Sequence, residues 1–168
     1  MTNMFCFDTN LLIWGVQGVS TPNRIRMIDI TRRFIASLPA NETIMIPSIV
    51  LAEYLQGFTG KSKREEQLAI LHKRYYVPPF DVPCANLAAE LSQAQIASEV
   101  AEEVGRKIVK ADIQIIATAI HHGADAIVTG NRSEYERLAG GRIRVIEVPV
   151  IEEQPSLLSL LDSEEQPS

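Results

Sequence analysis

The stretch DIQIIATAIHHGADAIVTGNRSEYERL, residues 112–138, holds three structural signals in a row. Ile115, Ile116, Ala119 and Ile120 recur at helical spacing from Asp112 to His122, and Gly123 marks the end of that helix. Ala126 to Val128 is a short apolar run of strand type, and Ser133 stands where it can cap a short helix reaching Leu138. Helix, strand, turn and helix within 27 residues is the repeating unit of an α/β domain with a parallel sheet.

The same alternation extends in both directions. Strands are expected at Met4 to Phe7, Thr43 to Ile46, Tyr75 to Val77, Ala126 to Val128 and Arg144 to Val148. The third is followed directly by Pro78 and Pro79, which suits only a sheet edge. Pro22 can open a helix with Ile25, Ile28, Phe34, Ile35 and Leu38 toward the core, stopped by Pro39. Ser48 can cap a helix through Gln56, ended by Gly57. From Lys61 to Lys110 the pattern is helical, broken around Pro78, Pro79 and Pro83, with Leu87, Leu91, Ala94 and Ala97 on one face. The expected fold is therefore a three-layer α/β domain whose central, mostly parallel five-stranded sheet is flanked by helices. It spans residues 1–148 with a helical region at 61–107, and residues 149–168 follow as an acidic tail.

Composition narrows the class. At 168 residues and 46% hydrophobic content, one ordinary domain can bury its own core. Cys6 and Cys84 have no second Cys or His at ligand spacing, which argues against a disulfide framework and a zinc site and suits a reducing cytoplasm. No apolar run approaches the length of a membrane span, and Asp8 spoils the apolar N-terminus as a signal peptide. The formal net charge of -5 is unevenly distributed. Residues 147–168 carry six acids and no Lys or Arg, leaving 15 acids against 16 bases in the body of the chain. A nucleic-acid partner is compatible with that body.

Three carboxylates stand alone in apolar segments. Asp8 is the sole charged side chain between residues 1 and 23, Glu53 between 43 and 60, and Asp112 between 111 and 124. A buried carboxylate must be paired, capped, protonated or bound to a cation. Asp8 can be a helix cap or Asx turn, Glu53 a partner of a distant Arg, and Asp112 a cap. His121 and His122 suit the C-terminal end of a helix dipole better than ligation. A fourth candidate is the turn from Thr129 to Glu134, in which Asn131 and Glu134 are acceptors. Open α/β sheets build their sites beyond the carboxyl ends of strands, where Asp8, Glu53 and the Thr129 turn all fall. Converging carboxylates without His or Cys favour Mg²⁺ or Mn²⁺ over Zn²⁺, and open water positions on such an ion suit phosphodiester chemistry.

At these residues the sequence resembles the PIN-domain family of metal-dependent ribonucleases, which includes the VapC toxins of toxin–antitoxin pairs. The resemblance rests on Phe7-Asp8-Thr9-Asn10-Leu11-Leu12, Pro47-Ser48-Ile49-Val50-Leu51-Ala52-Glu53, Ala111-Asp112-Ile113-Gln114-Ile115-Ile116-Ala117-Thr118-Ala119 and Val128-Thr129-Gly130-Asn131-Arg132-Ser133-Glu134-Tyr135, in the family's order. It implies a Rossmann-like PIN fold and Mg²⁺- or Mn²⁺-dependent RNA hydrolysis. Asp8, Glu53 and Asp112 would be catalytic metal ligands, with Glu134 at the less regular fourth position. Thr9, Asn10, Thr129 and Asn131 would hold the geometry around them, and Lys107, Lys110 and Arg132 are candidate RNA phosphate contacts. Many relatives have Asp where Asn131 stands. The resemblance also implies a homodimer and a cognate antitoxin protein. Two other readings remain open at this point. One is a PIN-like binding or assembly module that has lost cleavage; the other is a Rossmann-like nucleotide-binding domain, which lacks G-x-G-x-x-G or a Walker loop after the first strand.

Overall fold

The computed structural model describes residues 2–102 and 110–152, side chains 98–102 aside. Four parallel strands form one sheet in the order β2-β1-β3-β4, with β1 at Met4–Phe7, β2 at Thr43–Met45, β3 at Ala126–Thr129 and β4 at Arg144–Glu147. The Ala126–Thr129 strand is fully buried, as a central parallel strand with helices over both faces must be. Helices α1 (Thr9–Leu12), α2 (Arg26–Ser37), α3 (Ser48–Gln56), α4 (Lys61–Arg74), α5 (Val82–Glu102), α6 (Lys110–His121) and α7 (Arg132–Ala139) flank the sheet.

The fifth expected strand does not form. Tyr75–Val77 runs parallel beside β2 but makes a single bridge, Met45 to Tyr76. Tyr76 N donates to the Ile44 carbonyl at 3.0 Å and Ile46 N to the Tyr76 carbonyl at 2.8 Å. Pro78 and Pro79 then offer no N–H, so the ladder stops after one residue.

Several local expectations also shift. Pro22–Arg24 forms a 3₁₀ turn before α2 begins, and this change of pitch leaves Ile25 62% exposed while Phe34 packs on Phe7 at 6.0 Å between ring centroids. In α5 the buried stripe is Cys84, Ala88, Leu91 and Gln95, so Ala94 and Ala97 face outward. Gln95 is tolerated inside because its amide oxygen accepts from Arg137 Nη1 at 2.5 Å and its amide nitrogen donates to the Arg137 carbonyl at 3.2 Å. Ser48 does not cap α3; its hydroxyl accepts from Phe80 N at 3.1 Å and ties the proline-rich loop to that helix. Ser133 does not cap α7 either, since Asn131 occupies the cap position without a side-chain bond.

The strand order places the site. From β1 the chain winds outward to β2, then returns across the sheet to β3 on the other flank of β1. The winding therefore reverses between β1 and β3, and a crevice opens there at their carboxyl ends. Phe7 is in register with Val128, so Asp8 and Thr129 leave the sheet side by side.

Candidate functional site

Asp8 is 3% exposed and caps α1, with Oδ1 accepting from Leu11 N at 3.2 Å. Its Oδ2 accepts from the Thr129 hydroxyl at 2.5 Å and from Gly130 N at 3.4 Å. Thr129 in turn accepts from Asn131 N at 3.0 Å, so one buried hydroxyl links the carboxylate to the turn after β3. The capping expectation for Asp8 holds, and it does not exclude a metal, because a carboxylate offers about four lone-pair positions. Burial pushes the Asp8 carboxyl up to about 6; the bonds from Thr129, Leu11 and Gly130 oppose that rise and Asp112 adds to it.

Glu53 is half-buried on α3 and takes no distant Arg as partner among the described residues. Instead its Oε2 accepts from the Thr9 hydroxyl. Asp112, in the first turn of α6, accepts from the Tyr135 hydroxyl at 2.9 Å. Burial raises the Asp112 carboxyl, the Tyr135 bond opposes this, and Glu53 and Glu134 raise it further. The Tyr135 hydroxyl itself is held firmly protonated by burial and by the charges of Asp8 and Asp112.

A cleft of about 160 Å³ is lined by Asp8, Thr9, Asn10, Glu53, Asp112, Asn131 and Tyr135. The three carboxylates foreseen from sequence thus share one cleft with three of the four foreseen supporting residues. The fourth, Thr129, acts from beneath through Asp8. Glu134 is not among the residues lining the cleft, though its charge acts on Asp112, and both its carboxylate oxygens accept from Arg137, at 2.6 and 3.1 Å. Arg132 is paired with Glu136 at 2.7 Å and borders a different depression; Lys110 is exposed at the start of α6. Lys107 and most of the acidic tail, 153–168, lie outside the described residues.

Two features escaped sequence reading. Tyr135 looks like an ordinary core aromatic at helical spacing, and only its place one residue after Glu134 hinted at the turn's chemistry. Arg24 sits over the Trp14 ring at 6.0 Å, and its Nη1 donates to the Gly130 carbonyl at 3.4 Å. With Asn10, Trp14 and Asn131 it lines a groove that shares Asn10 and Asn131 with the acidic cleft. Gly130 is needed for this packing, since a Cβ there would come within 2.4 Å of the Trp14 ring.

The donor set fits a hard divalent ion. Three carboxylates line one cleft, and among the described residues the charges acting on Asp8 (from Asp112) and on Asp112 (from Glu53 and Glu134) are repulsive and no Lys or Arg pairs with any of the three. The second oxygens of Glu53 and Asp112 accept no hydrogen bond among the described residues. Oxygen ligands of this kind suit Mg²⁺ or Mn²⁺.

A parallel α/β sheet with an acidic cleft at its winding reversal defines a class of fold whose ligand site lies at the carboxyl ends of the strands. Within that class the assignment is specific: the PIN domain family model matches residues 5–141, and this chain belongs to the PIN domain family. Solved structures share the fold. VapBC2 from Rickettsia felis, bound to a DNA fragment from its promoter, is 24% identical with a TM-score of 0.65, covering 86% of this chain and 98% of that one. DNA-bound VapBC from Salmonella typhimurium is 26% identical with a TM-score of 0.59, covering 89% and 100%. The Mycobacterium tuberculosis sarcin-ricin loop cleaving toxin VapC20 is 17% identical with a TM-score of 0.53, covering 90% and 99%. Comparison with curated protein sequences gives no match. No helix among the described residues is long and apolar enough to cross a membrane.

Proposed function

We propose that this protein hydrolyses RNA phosphodiester bonds with Mg²⁺ or Mn²⁺ and is the toxin of a toxin–antitoxin pair. The observation that carries the reading is the convergence of Asp8, Glu53 and Asp112 in one cleft with no cationic side chain paired to them among the described residues. Such a cluster is held together at a cost that a bound cation removes.

Asp8 and Asp112 are the direct ligands in this reading, with Glu53 as a third ligand or a water-orienting base. When bound, the ion supplies a water of lowered pKa and offsets charge on the phosphate. The remaining work falls to the chain. Thr129 and the Leu11 and Gly130 amides fix the Asp8 carboxylate, Thr9 fixes Glu53, and Tyr135 fixes Asp112 in the orientation that leaves its second oxygen open. Glu134, held by Arg137, contributes charge at longer range than the other three. Arg24 holds a substrate phosphate at the groove that meets the cleft, with Lys110, Arg132 and Lys107 as further backbone contacts. The toxin role draws support from the VapBC structures that share the fold. It implies a cognate antitoxin and a toxin homodimer working in the cytoplasm.

The test is cleavage of an RNA panel by purified protein titrated with Mn²⁺, wild type against Asp112→Asn. Equal products in the two proteins, or cleavage indifferent to chelator, would sink the reading. A second reading, a module that binds without cleaving, is favoured by Asn131 in the cleft and by the engagement of Glu134 with Arg137. It predicts Mn²⁺ binding without RNA turnover in the same experiment.

A further inference from the structure

Cys84 had no ligand partner within its own segment, and His121 and His122 read as helix-end residues. The fold brings them together with Asp81, and one ligand atom from each of the four lies within 4.8 Å of every other. We propose that Asp81, Cys84, His121 and His122 form a second metal site, for Zn²⁺ or a similar borderline ion, that pins the start of α5 to the end of α6. This site is separate from the acidic cleft and does not depend on the reading of that cleft.

The donor set is the first argument. One thiolate, two imidazoles and one carboxylate is a four-ligand set typical of zinc and poor for Mg²⁺ or Mn²⁺. Bonds of about 2.0–2.3 Å would place ligand atoms about 3.3–3.8 Å apart in a tetrahedron. The present spacing therefore needs to close by about 1 Å, which half-exposed Asp81 and His121 can supply by side-chain rotation.

Local geometry is the second. Asp81 Oδ1 accepts from Cys84 N at 3.1 Å, which tethers that oxygen to the start of α5, while Oδ2 faces His121 Nε2 at 3.6 Å. His122 Nε2 lies 3.1 Å from the Pro79 carbonyl. A carbonyl can only accept, so Nε2 carries the proton and the lone pair is on Nδ1. A ring N–H donated to a backbone carbonyl is the support that metal-bound imidazoles ordinarily have. The two imidazoles stand edge to face with centroids 4.8 Å apart, and the Cys84 side chain is buried beneath them.

With four protein ligands the site is closed, so its role is structural rather than catalytic. Asp112 lies nine residues before His121 on the same helix, about 13 Å along its axis. An ion at the far end would hold α6, and with it Asp112, without touching substrate.

Cobalt is the direct probe. Metal-free full-length protein titrated with Co²⁺ is expected to show a near-ultraviolet sulfur-to-cobalt charge-transfer band with tetrahedral visible bands. Zn²⁺ should bleach both and Mg²⁺ should not. The signal should persist in Asp112→Asn and vanish in Cys84→Ser. No charge-transfer band in the wild type, or one that survives in Cys84→Ser and so belongs to Cys6, overturns the site. Should Cys84→Ser fail to fold by circular dichroism, His121→Gln at the exposed rim decides. Zn²⁺ affinity measured against a competing chelator should fall about tenfold or more, and an unchanged affinity overturns the proposal.

Discussion

The two ends of α6 gather titratable side chains by opposite means. At the N-terminal end Asp112 meets Asp8 and Glu53, all acids, and burial together with neighbouring negative charge raises its carboxyl. At the C-terminal end His121 and His122 meet Asp81, whose carboxyl is lowered, chiefly by bonds from Cys84 and then by the histidines. One cluster is built of carboxylates alone, and the other mixes one carboxylate with a thiol and two imidazoles. The difference separates a site that calls for a hard oxygen-binding cation from one suited to nitrogen and sulfur ligation.

The comparison breaks first on catalysis. Asp112→Asn and Asp8→Asn should each lower Mn²⁺-dependent RNA cleavage on the order of a hundredfold or more, while His121→Gln stays within about twofold of wild type. Initial rates at saturating Mn²⁺ measure this. Comparable losses at both ends of the helix would mean that the acidic cleft does not act independently of the far cluster.

Next comes pH. The Asp8 carboxyl rises from 3.8 to about 6 in the folded chain, so between those values the native state holds a proton that the unfolded state has released. Stability of the metal-free protein should therefore fall as pH rises through that window. The full cost above pH 6 is on the order of 3 kcal/mol. Mn²⁺ at a hundred times its Kd should return about 2.7 kcal/mol at pH 7.5. Urea unfolding at pH 4 and 7.5, with and without Mn²⁺, reads both effects. Asp8→Asn should flatten the slope by the Asp8 share, and an Asp8→Asn slope equal to wild type would remove Asp8 as its source.

The same contrast explains what the sequence could reveal. Asp8, Glu53 and Asp112 were legible because each is the sole charge in an apolar segment, and a lone buried acid needs a reason that segment alone cannot give. The sheet was legible from Ala126–Val128 and its flanking helices, because a strand buried on both faces is a continuous apolar run. Cys84 with His121 and His122 was not, since residues so far apart in sequence meet only through the docking of α5 on α6. Tyr75–Val77 misled because strand propensity is local, whereas a ladder needs donors that Pro78 and Pro79 lack. Ile25 misled because it follows the 3₁₀ turn Pro22–Arg24 and so falls out of phase with the core stripe of α2.

Tyr135→Phe tests how finely the acidic end is tuned. It removes the bond to Asp112 and leaves the ring in place, so the Asp112 carboxyl should rise further. Mn²⁺ affinity at pH 7 should drop about tenfold, with stability changed by only about 1 kcal/mol. Isothermal titration and thermal melts separate the two, and a stability loss without an affinity loss would assign Tyr135 to packing alone.

The smallest expected effect lies beside the cleft. Arg24 is exposed, bonded to the Gly130 carbonyl and stacked over Trp14, in a groove continuous with the acidic cleft through Asn10 and Asn131. If it holds a phosphate, Arg24→Gln weakens RNA binding only a few-fold, because one contact of several is lost. The salt dependence is the sharper readout, since each phosphate contact to a single strand contributes about 0.7 to the slope of log K against log salt. Binding isotherms of catalytically silent Asp8→Asn, with and without Arg24→Gln, at several salt concentrations should differ by about that amount. Parallel lines would assign Arg24 to supporting Trp14 and Gly130, and the route of RNA into the cleft would then have to pass the Lys110 side of α6.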